Sequence, residues 1–237
     1  MVWVAHDGDN LNDLYFYDGN IINKLTTSDN NLAPGIHDSF IAWERWASGK
    51  SEIYFYDGER ISRLTNNNYD DRGPSIWKNH VAWHAYKRNT ADPDVFYYDG
   101  NTVRQLTQRN KNSNPVVWGD NVAWQGFDDT GRWQIFVYNG TATKQVTFYT
   151  NRDASPPDMW GDAIVWTALR SDIYDYEEAK KTREVYLYDG KEVHRVTDND
   201  YEDIFPVVWG QNIAWLGKVD NEDENEDDYE IFFSYKD

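Results

Sequence analysis

The chain has no cysteine and only two methionines in 237 residues. Without cysteine there is no disulfide framework, no thiolate nucleophile and no sulfur-ligated metal centre, so stability must come from burial and backbone pairing. That absence fits a reducing compartment without excluding an exported one. Positive charge is also scarce: 23 Lys and Arg stand against 41 Asp and Glu, a net charge of −18. Binding to phosphate backbones needs Lys and Arg, so nucleic acid is excluded as the expected partner. A strongly acidic protein stays soluble and meets cations or basic surfaces. No apolar run approaches the ~18 residues of a membrane span, and no charged-then-apolar leader precedes Val2. Strand-like sequence starts at the first residue, which reads as a mature or excised domain.

Aromatic residues, by contrast, make up 16 % of the chain, and they recur in order. A Trp closes a short apolar run at Trp3, Trp43, Trp83, Trp124, Trp166 and Trp215. Each is followed by a run ending in Tyr-Asp/Asn-Gly or its remnant, at Tyr17, Tyr56, Tyr98, Tyr138, Tyr188 and Tyr235. One spacing is constant from Pro34, Pro74, Pro115, Pro157 and Pro206 to the next repeat Trp. Another is constant from Gly19, Gly58, Gly100, Gly140 and Gly190 to Thr26, Thr65, Thr107, Thr147 and Thr197. A period of about 40 residues is that of a propeller blade.

Within residues 74–107 four β-like segments are predicted: Pro74–Trp77, Val81–Tyr86, Asp94–Tyr98 and Thr102–Thr107. Aromatic and β-branched residues between turn signals favour strands. The Asp-Gly pairs predict two-residue type I′ hairpins between segments three and four. Gly119-Asp120, Gly161-Asp162 and Gly210-Gln211 predict tight turns between segments one and two, and Pro is expected to open the first strand. Repeated four-stranded antiparallel units make a β-propeller, expected as one all-β domain over residues 1–237. The repeat Trp and the small residue before it should face opposite sides of strand two, one side towards each neighbouring unit.

Strands two and three occur six times in this pattern, and strands one and four five times each, which gives 22 strands. Three closures remain open: six blades with two three-stranded blades at the seam, five blades completed by Ile21–Thr26 with an extra N-terminal hairpin, or a neighbouring chain covering the open edges. Unpaired edges template pairing, so self-association through segments 1–19 and 206–237 is expected.

The order of elements Asp/Glu-Ile/Val-Tyr/Phe-x-Tyr-Asp-Gly, then x-Leu-Thr, Asp-x-x-Pro and Ile/Val-Ala-Trp resembles the TolB-type β-propeller repeat along essentially the whole chain. Asp71-Arg-Gly-Pro74 and Asp203-Ile-Phe-Pro206 match its Asp-x-x-Pro element. Where that family follows its Pro with aromatic-Ser-Pro-Asp-Gly, this chain has Trp118-Gly-Asp-Asn121. The chain therefore resembles the divergent repeats of secreted and surface proteins of microbes more than TolB itself. The resemblance implies a six-bladed propeller used mainly for binding, exported or at the cell surface.

Binding residues gather on variable loops held by a rigid scaffold, here the two–three and four–one connections. Candidate aromatics at that end are Trp46, Tyr86 and Phe127, each three residues after a repeat Trp, together with Trp133. Such rings stack on sugars or fill protein hot spots, so a lectin would need repeated pockets on these positions. Leu169 and Lys218 break the series. The insertion 169–183 adds Tyr174 and Tyr176, either as a surface excursion or as a partner contact. The acidic run Asp220, Glu222, Asp223, Glu224, Glu226, Asp227 and Asp228 lacks the Gly that compact calcium loops use. It reads as a solvated loop, a cation site or a docking strip for a basic partner.

Catalysis finds no motif: no Gly-x-Ser-x-Gly elbow, no phosphate-cradling loop and no helical zinc pair. His80 and His84 are four apart but straddle a turn and a strand. The recurring acids Asp13, Glu52, Asp94, Glu184 and Glu230 are expected to tie down loop N–H groups. The sequence thus predicts a non-enzymatic recognition or scaffold module, with no cofactor and no metal, that binds a protein partner or itself; a glycan is the alternative ligand.

Overall fold

The computed structural model describes residues 1–6, 11–27, 29–87, 90–219 and 228–234. These form 23 β-strands and one short helix, and paired strands run antiparallel. The chain divides into two compact units, Met1–Val122 and Ala123–Asp237.

In the first unit, β1 (Val2–His6), β2 (Asn12–Tyr17) and β3 (Ile22–Lys24) make a three-stranded sheet. The second sheet is β4 (Asn31–His37), β5 (Phe40–Ala47), β6 (Lys50–Tyr56) and β7 (Ile61–Arg63). The third is β8 (Asp70–Trp77), β9 (His80–Tyr86), β10 (Pro93–Tyr98) and β11 (Val103–Gln105). Next come β12 (Asn112–Trp118) and β13 (Asn121–Phe127), and the unit boundary lies within β13.

Their sheet is ordered β12-β13-β14-β15, with β14 at Trp133–Asn139 and β15 at Thr143–Gln145. The fifth sheet contains β16 (Arg152–Ala154) and β17 (Asp158–Trp160), both paired with β18 (Ala163–Arg170). After helix α1 (Tyr176–Lys180) it continues with β19 (Glu184–Tyr188) and β20 (Val193–Arg195). The sixth sheet is β21 (Asp203–Trp209), β22 (Asn212–Val219) and β23 (Asp228–Ser234).

Six sheets with three strands at each end are what the strand count expects. The one additional strand comes from a break. In the other units the residue before the repeat Pro adopts a left-handed conformation: Ala33 (φ 45°), Gly73 (φ 62°), Asn114 (φ 52°) and Phe205 (φ 51°). At Ala33, Gly73 and Phe205 this residue lies in a β-bulge, between Leu32 and Gly35, Arg72 and Ser75, and Ile204 and Val207. The fifth sheet has Pro156 at this position, and its ring fixes φ near about −65°. The bulge cannot form, and strand one splits into β16 and β17.

Two turn expectations need correction. Pro74 does not open its strand but lies inside β8, directly after the bulge, where a missing N–H is tolerated. The Asp-Gly hairpins are not two-residue type I′ turns. Tyr56 pairs with Ile61 across a connection spanning 57–60, and of Asp57 and Gly58 only the glycine has positive φ (99°). The Asp57 carboxylate accepts the amides of Glu59 and Arg60 at 2.8 and 2.7 Å, an Asx turn that favours the longer loop. The one–two turns are tight as expected: Trp77 pairs with His80, Trp160 with Ala163, and Trp209 with Asn212.

Repeat Trp and preceding small residue do take opposite faces. In the first unit Trp43 packs on Leu14 of the preceding sheet, while Ala42 and Phe55 meet Trp83 and Phe96 of the following one. In the second unit Val165 and Val185 meet Trp215, Val208 and Ile213. Trp43, Trp83, Trp124 and Trp166 are wholly buried, and truncating one such ring costs roughly 3–5 kcal/mol. Each repeat Trp also stacks on an aromatic directly across on strand three, from Trp3 on Tyr15 to Trp215 on Phe232, with centroids 5.8–6.0 Å apart.

A polar device fastens each fourth strand. The hydroxyls of Thr26, Thr65, Thr107, Thr147 and Thr197 accept the amides of Leu14, Ile53, Val95, Ile135 and Val185, each at 2.9 Å. They donate in turn to Asp13, Glu52, Asp94, Gln134 and Glu184 at 2.6–3.4 Å. Lys24, Arg63 and Arg195, two residues before the Thr, pair with the same carboxylates at 2.6–2.9 Å. Asp13 and Glu184 also accept loop amides, of Asp29 and Asn199. Asp13 and Glu184 thus hold loop backbone as the sequence suggests, while Glu52 and Asp94 hold the Thr and neighbouring polar side chains instead.

Candidate functional site

The candidate aromatics differ in their surroundings. In the first unit Trp46 lies near the end of β5, exposed, with its amide donating to the Asn30 carbonyl at 2.8 Å. Tyr86 ends β9 under the Arg72 guanidinium, 5.9 Å from its ring centroid, with His84 edge-on at 5.5 Å. In the second unit Phe127 ends β13 and Trp133 opens β14, and their rings meet edge to face at 4.1 Å. The structure thus brings Phe127 and Trp133 together, while Trp46, Tyr86 and Phe127 do not share one repeated environment.

Tyr174 and Tyr176 belong to the segment after β18. Asp175 caps α1 by accepting the amides of Glu177 and Glu178 at 2.9 and 3.1 Å. Tyr174 is fully exposed, and Lys180 stands 4.9 Å over the exposed Tyr176 ring. Of the acidic run, Asp220, Glu222, Asp223, Glu224, Glu226 and Asp227 lie outside the described residues; Asp228 opens β23, paired with Val219. His80 and His84 both lie on β9, about 13 Å apart at ~3.3 Å per residue, too far to share a metal ion. His80 is held instead by the Tyr97 hydroxyl at 2.6 Å, and burial pushes His84 down to about 4.

Among the described residues Asp189, Glu192 and His194 bring ligand atoms within 4.8 Å, all exposed. The Asp189 carboxylate already accepts the amides of Glu192 and Lys191, which hold it well below the usual carboxylate range. Asp18, Asp57 and Asp99 do the same in their own turns, so the turn accounts for the cluster.

A different surface stands out from the repeat logic. In the second sheet, Ile53 and Phe55 are 0 % and 5 % exposed because the third sheet covers them. Their counterparts in the sixth sheet follow from register: Ala214 pairs with Phe233 as Ala42 pairs with Phe55, and Leu216 pairs with Ile231 as Glu44 pairs with Ile53. Ile231 is 74 % and Phe233 59 % exposed. On β21, Phe205, Val207 and Trp209 are exposed as well. Together they make an apolar sheet face of the kind that marks interaction sites.

Beside this face a cavity of about 500 Å³ is lined by Ser155, Pro156, Pro157, Phe205, Pro206 and Val207, among others. At its wall Asp158 accepts the Val208 amide at 2.9 Å, and burial pushes its pKa up from the usual carboxylate value. The sequence flags segment 206–237 as a seam but does not single out Ile231 or Phe205. The usable signal is the repeat pattern, in which Ile231 and Phe233 take the strand-three positions that Ile53 and Phe55 hold in the second sheet.

No helix among the described residues is long and apolar enough to cross a membrane. No family model matches the chain, and no curated protein matches it. Solved structures do. The β-propeller domain of the Trilobed protease from Pyrococcus furiosus, described as having an open velcro topology, aligns with a TM-score of 0.69 at 9 % identity, covering 98 % of this chain and 76 % of that one. A TolB-like protein from Agrobacterium tumefaciens aligns with a TM-score of 0.53 at 18 % identity, covering 95 % and 83 %. An acylaminoacyl peptidase from Pyrococcus horikoshii gives 0.57 at 13 %, covering 89 % of this chain, which spans 37 % of the peptidase. At these identities the likeness shows the fold, a β-propeller of antiparallel sheets.

Proposed function

We propose that residues 1–237 act as one six-bladed propeller serving as a non-catalytic recognition module, which binds a protein partner or a second copy through the exposed apolar face of β21–β23. The observation that carries this reading is the contrast between Ile231, 74 % exposed, and Ile53, 0 % exposed at the same place in its sheet. Covering such a side chain is worth roughly 1.5–3 kcal/mol. Asp13, Glu52, Asp94 and Glu184 each accept a Thr hydroxyl that holds a strand amide, which supports binding over acid–base chemistry.

The test has two parts. Hydroxyl-radical footprinting should oxidise Phe205, Trp209 and Phe233 quickly and Trp43 slowly. Sedimentation across ionic strength should show association that strengthens as salt screens the −18 charge and that Ile231→Glu abolishes. Protection of Phe205, Trp209 and Phe233 equal to that of Trp43 in the isolated monomer would overturn the reading, because the face would then be covered within one chain.

A further inference from the structure

Five sheets end in a three-residue outer strand: β3, β7, β11, β15 and β20. All five are fastened by the same parts. The Thr hydroxyl takes the amide of a strand-three residue, and that residue's carbonyl accepts the amide just before the Thr: Leu25, Leu64, Leu106, Val146 and Val196, at 2.7–2.8 Å. The basic residues Lys24, Arg63 and Arg195 answer the strand-three acid. In three of the five the segment reads apolar-x-Lys/Arg-Leu/Val-Thr, as in Ile61-Ser-Arg-Leu-Thr65 and Val193-His-Arg-Val-Thr197, and Gln105 and Gln145 take the basic place in the other two.

The sixth sheet keeps the receiving half of this device. Trp215 pairs with Phe232 as Trp43 pairs with Tyr54, so Glu230 and Ile231 stand where Glu52 and Ile53 stand. Among the described residues no strand pairs with the outer edge of β23. Glu52 and Glu184 are buried and paired with Arg; Glu230 is exposed and, among the described residues, carries no ion pair. By the same register the Ile231 amide and carbonyl point outward, as those of Ile53 do towards Thr65 and Leu64.

We propose that the outer edge of β23 takes up an extended segment of a partner protein, of the form apolar-x-Lys/Arg-Leu/Val-Thr, as a fourth strand. Strand addition to an open edge draws affinity from main-chain hydrogen bonds and selectivity from side-chain sites. Here the selective contacts are the partner's basic residue on Glu230 and its Thr hydroxyl on the Ile231 amide. The net charge of −18 favours a basic segment over an acidic one. The inference rests on the chain being a recognition module, but it uses the edge of the last sheet rather than its face.

The probe is a capped peptide of residues 59–66, Glu-Arg-Ile-Ser-Arg-Leu-Thr-Asn, titrated against the full chain by fluorescence anisotropy. Saturable binding is expected, with slowed hydrogen exchange at the Ile231 amide. An Arg63→Glu form of the peptide should bind at least tenfold more weakly, and a Thr65→Val form several-fold. Glu230→Arg in the protein should weaken the original peptide and restore the Arg63→Glu form. No saturable binding at millimolar peptide, or binding indifferent to both charge changes, overturns the proposal. Glu230→Arg leaves Phe205, Trp209 and Phe233 in place, so radical footprinting of the face reports on the broader reading separately.

Discussion

The Trp83 indole N–H donates to Asp71 Oδ1 at 2.8 Å, with both side chains wholly buried. Trp43 makes the same bond to Asn31 and Trp215 to Asp203, at 2.8 and 3.0 Å. The polar residue that opens the Asp-x-x-Pro element is therefore an acceptor for the repeat Trp of its own sheet. A buried indole needs such a partner, since an unmet buried donor costs about 1–3 kcal/mol.

Burial pushes the Asp71 carboxyl up to about 6, and nearby Glu52 adds to the rise. A folded-state value above the unfolded one favours the protonated acid in the native protein. The stability it contributes is complete below the unfolded value and is lost as pH rises through about 6. Asp71→Asn keeps the acceptor oxygen, as Asn31 does, and removes the charge. It is expected to raise stability at pH 7 by about 1–3 kcal/mol and to change it little at pH 4. Urea unfolding at the two pH values checks this; a loss of stability at pH 7 would sink it.

In the fifth sheet Ala154 stands where the second, third, fourth and sixth have Asp or Asn, and Tyr149 supplies the acceptor instead, its hydroxyl taking the Trp166 indole N–H at 3.2 Å. Burial pushes the hydroxyl's pKa far above the ordinary tyrosine value. Tyr149→Phe should cost about 1–3 kcal/mol, by stranding the indole donor. The same substitution at the exposed Tyr174 should leave thermal unfolding unchanged.

Thr65 bonds the Ile53 amide and Glu52 at once, at 2.9 and 2.7 Å. Thr65→Val keeps shape and volume but leaves a buried amide unmet. About 1–3 kcal/mol of destabilisation is expected, with faster hydrogen exchange at Ile53 and little change at Val185 in the other unit. A uniform rise in exchange throughout the chain would show that Thr65 does not act locally.

The repeat was legible because every unit must place one ring and one small side chain on opposite sides of strand two, and period-two alternation with fixed turns records that demand. The three-stranded first and last sheets among the described residues were legible for the same reason. The Asp57 hairpin was not. Asp-Gly suits a type I′ turn, but the Asp side chain can also accept two amides, and sequence alone does not rank the two. The place of Pro74 was missed because a bulge shifts register by one residue and leaves no compositional mark. The break at Ser155-Pro-Pro157 depends on a left-handed position that becomes visible only when backbone angles are compared between units. Among the candidate aromatics, Phe127 was singled out by its place three residues after a repeat Trp and Trp133 by having no counterpart, and the structure brings the two rings together. Ile231 and Phe205 were not, since they conform to it and only their uncovered state sets them apart.

The two-sidedness of each sheet has a consequence for evolution. A Trp-bearing face meets a face bearing a smaller residue, Ala42 under Trp83 and Val165 under Trp215, so an inserted or deleted copy of about 40 residues brings its own matched pair of surfaces. No junction of a new kind has to be invented. Repeat number is then free to drift in descendants of this gene by whole-copy duplication and loss, while substitutions on either face are constrained in pairs.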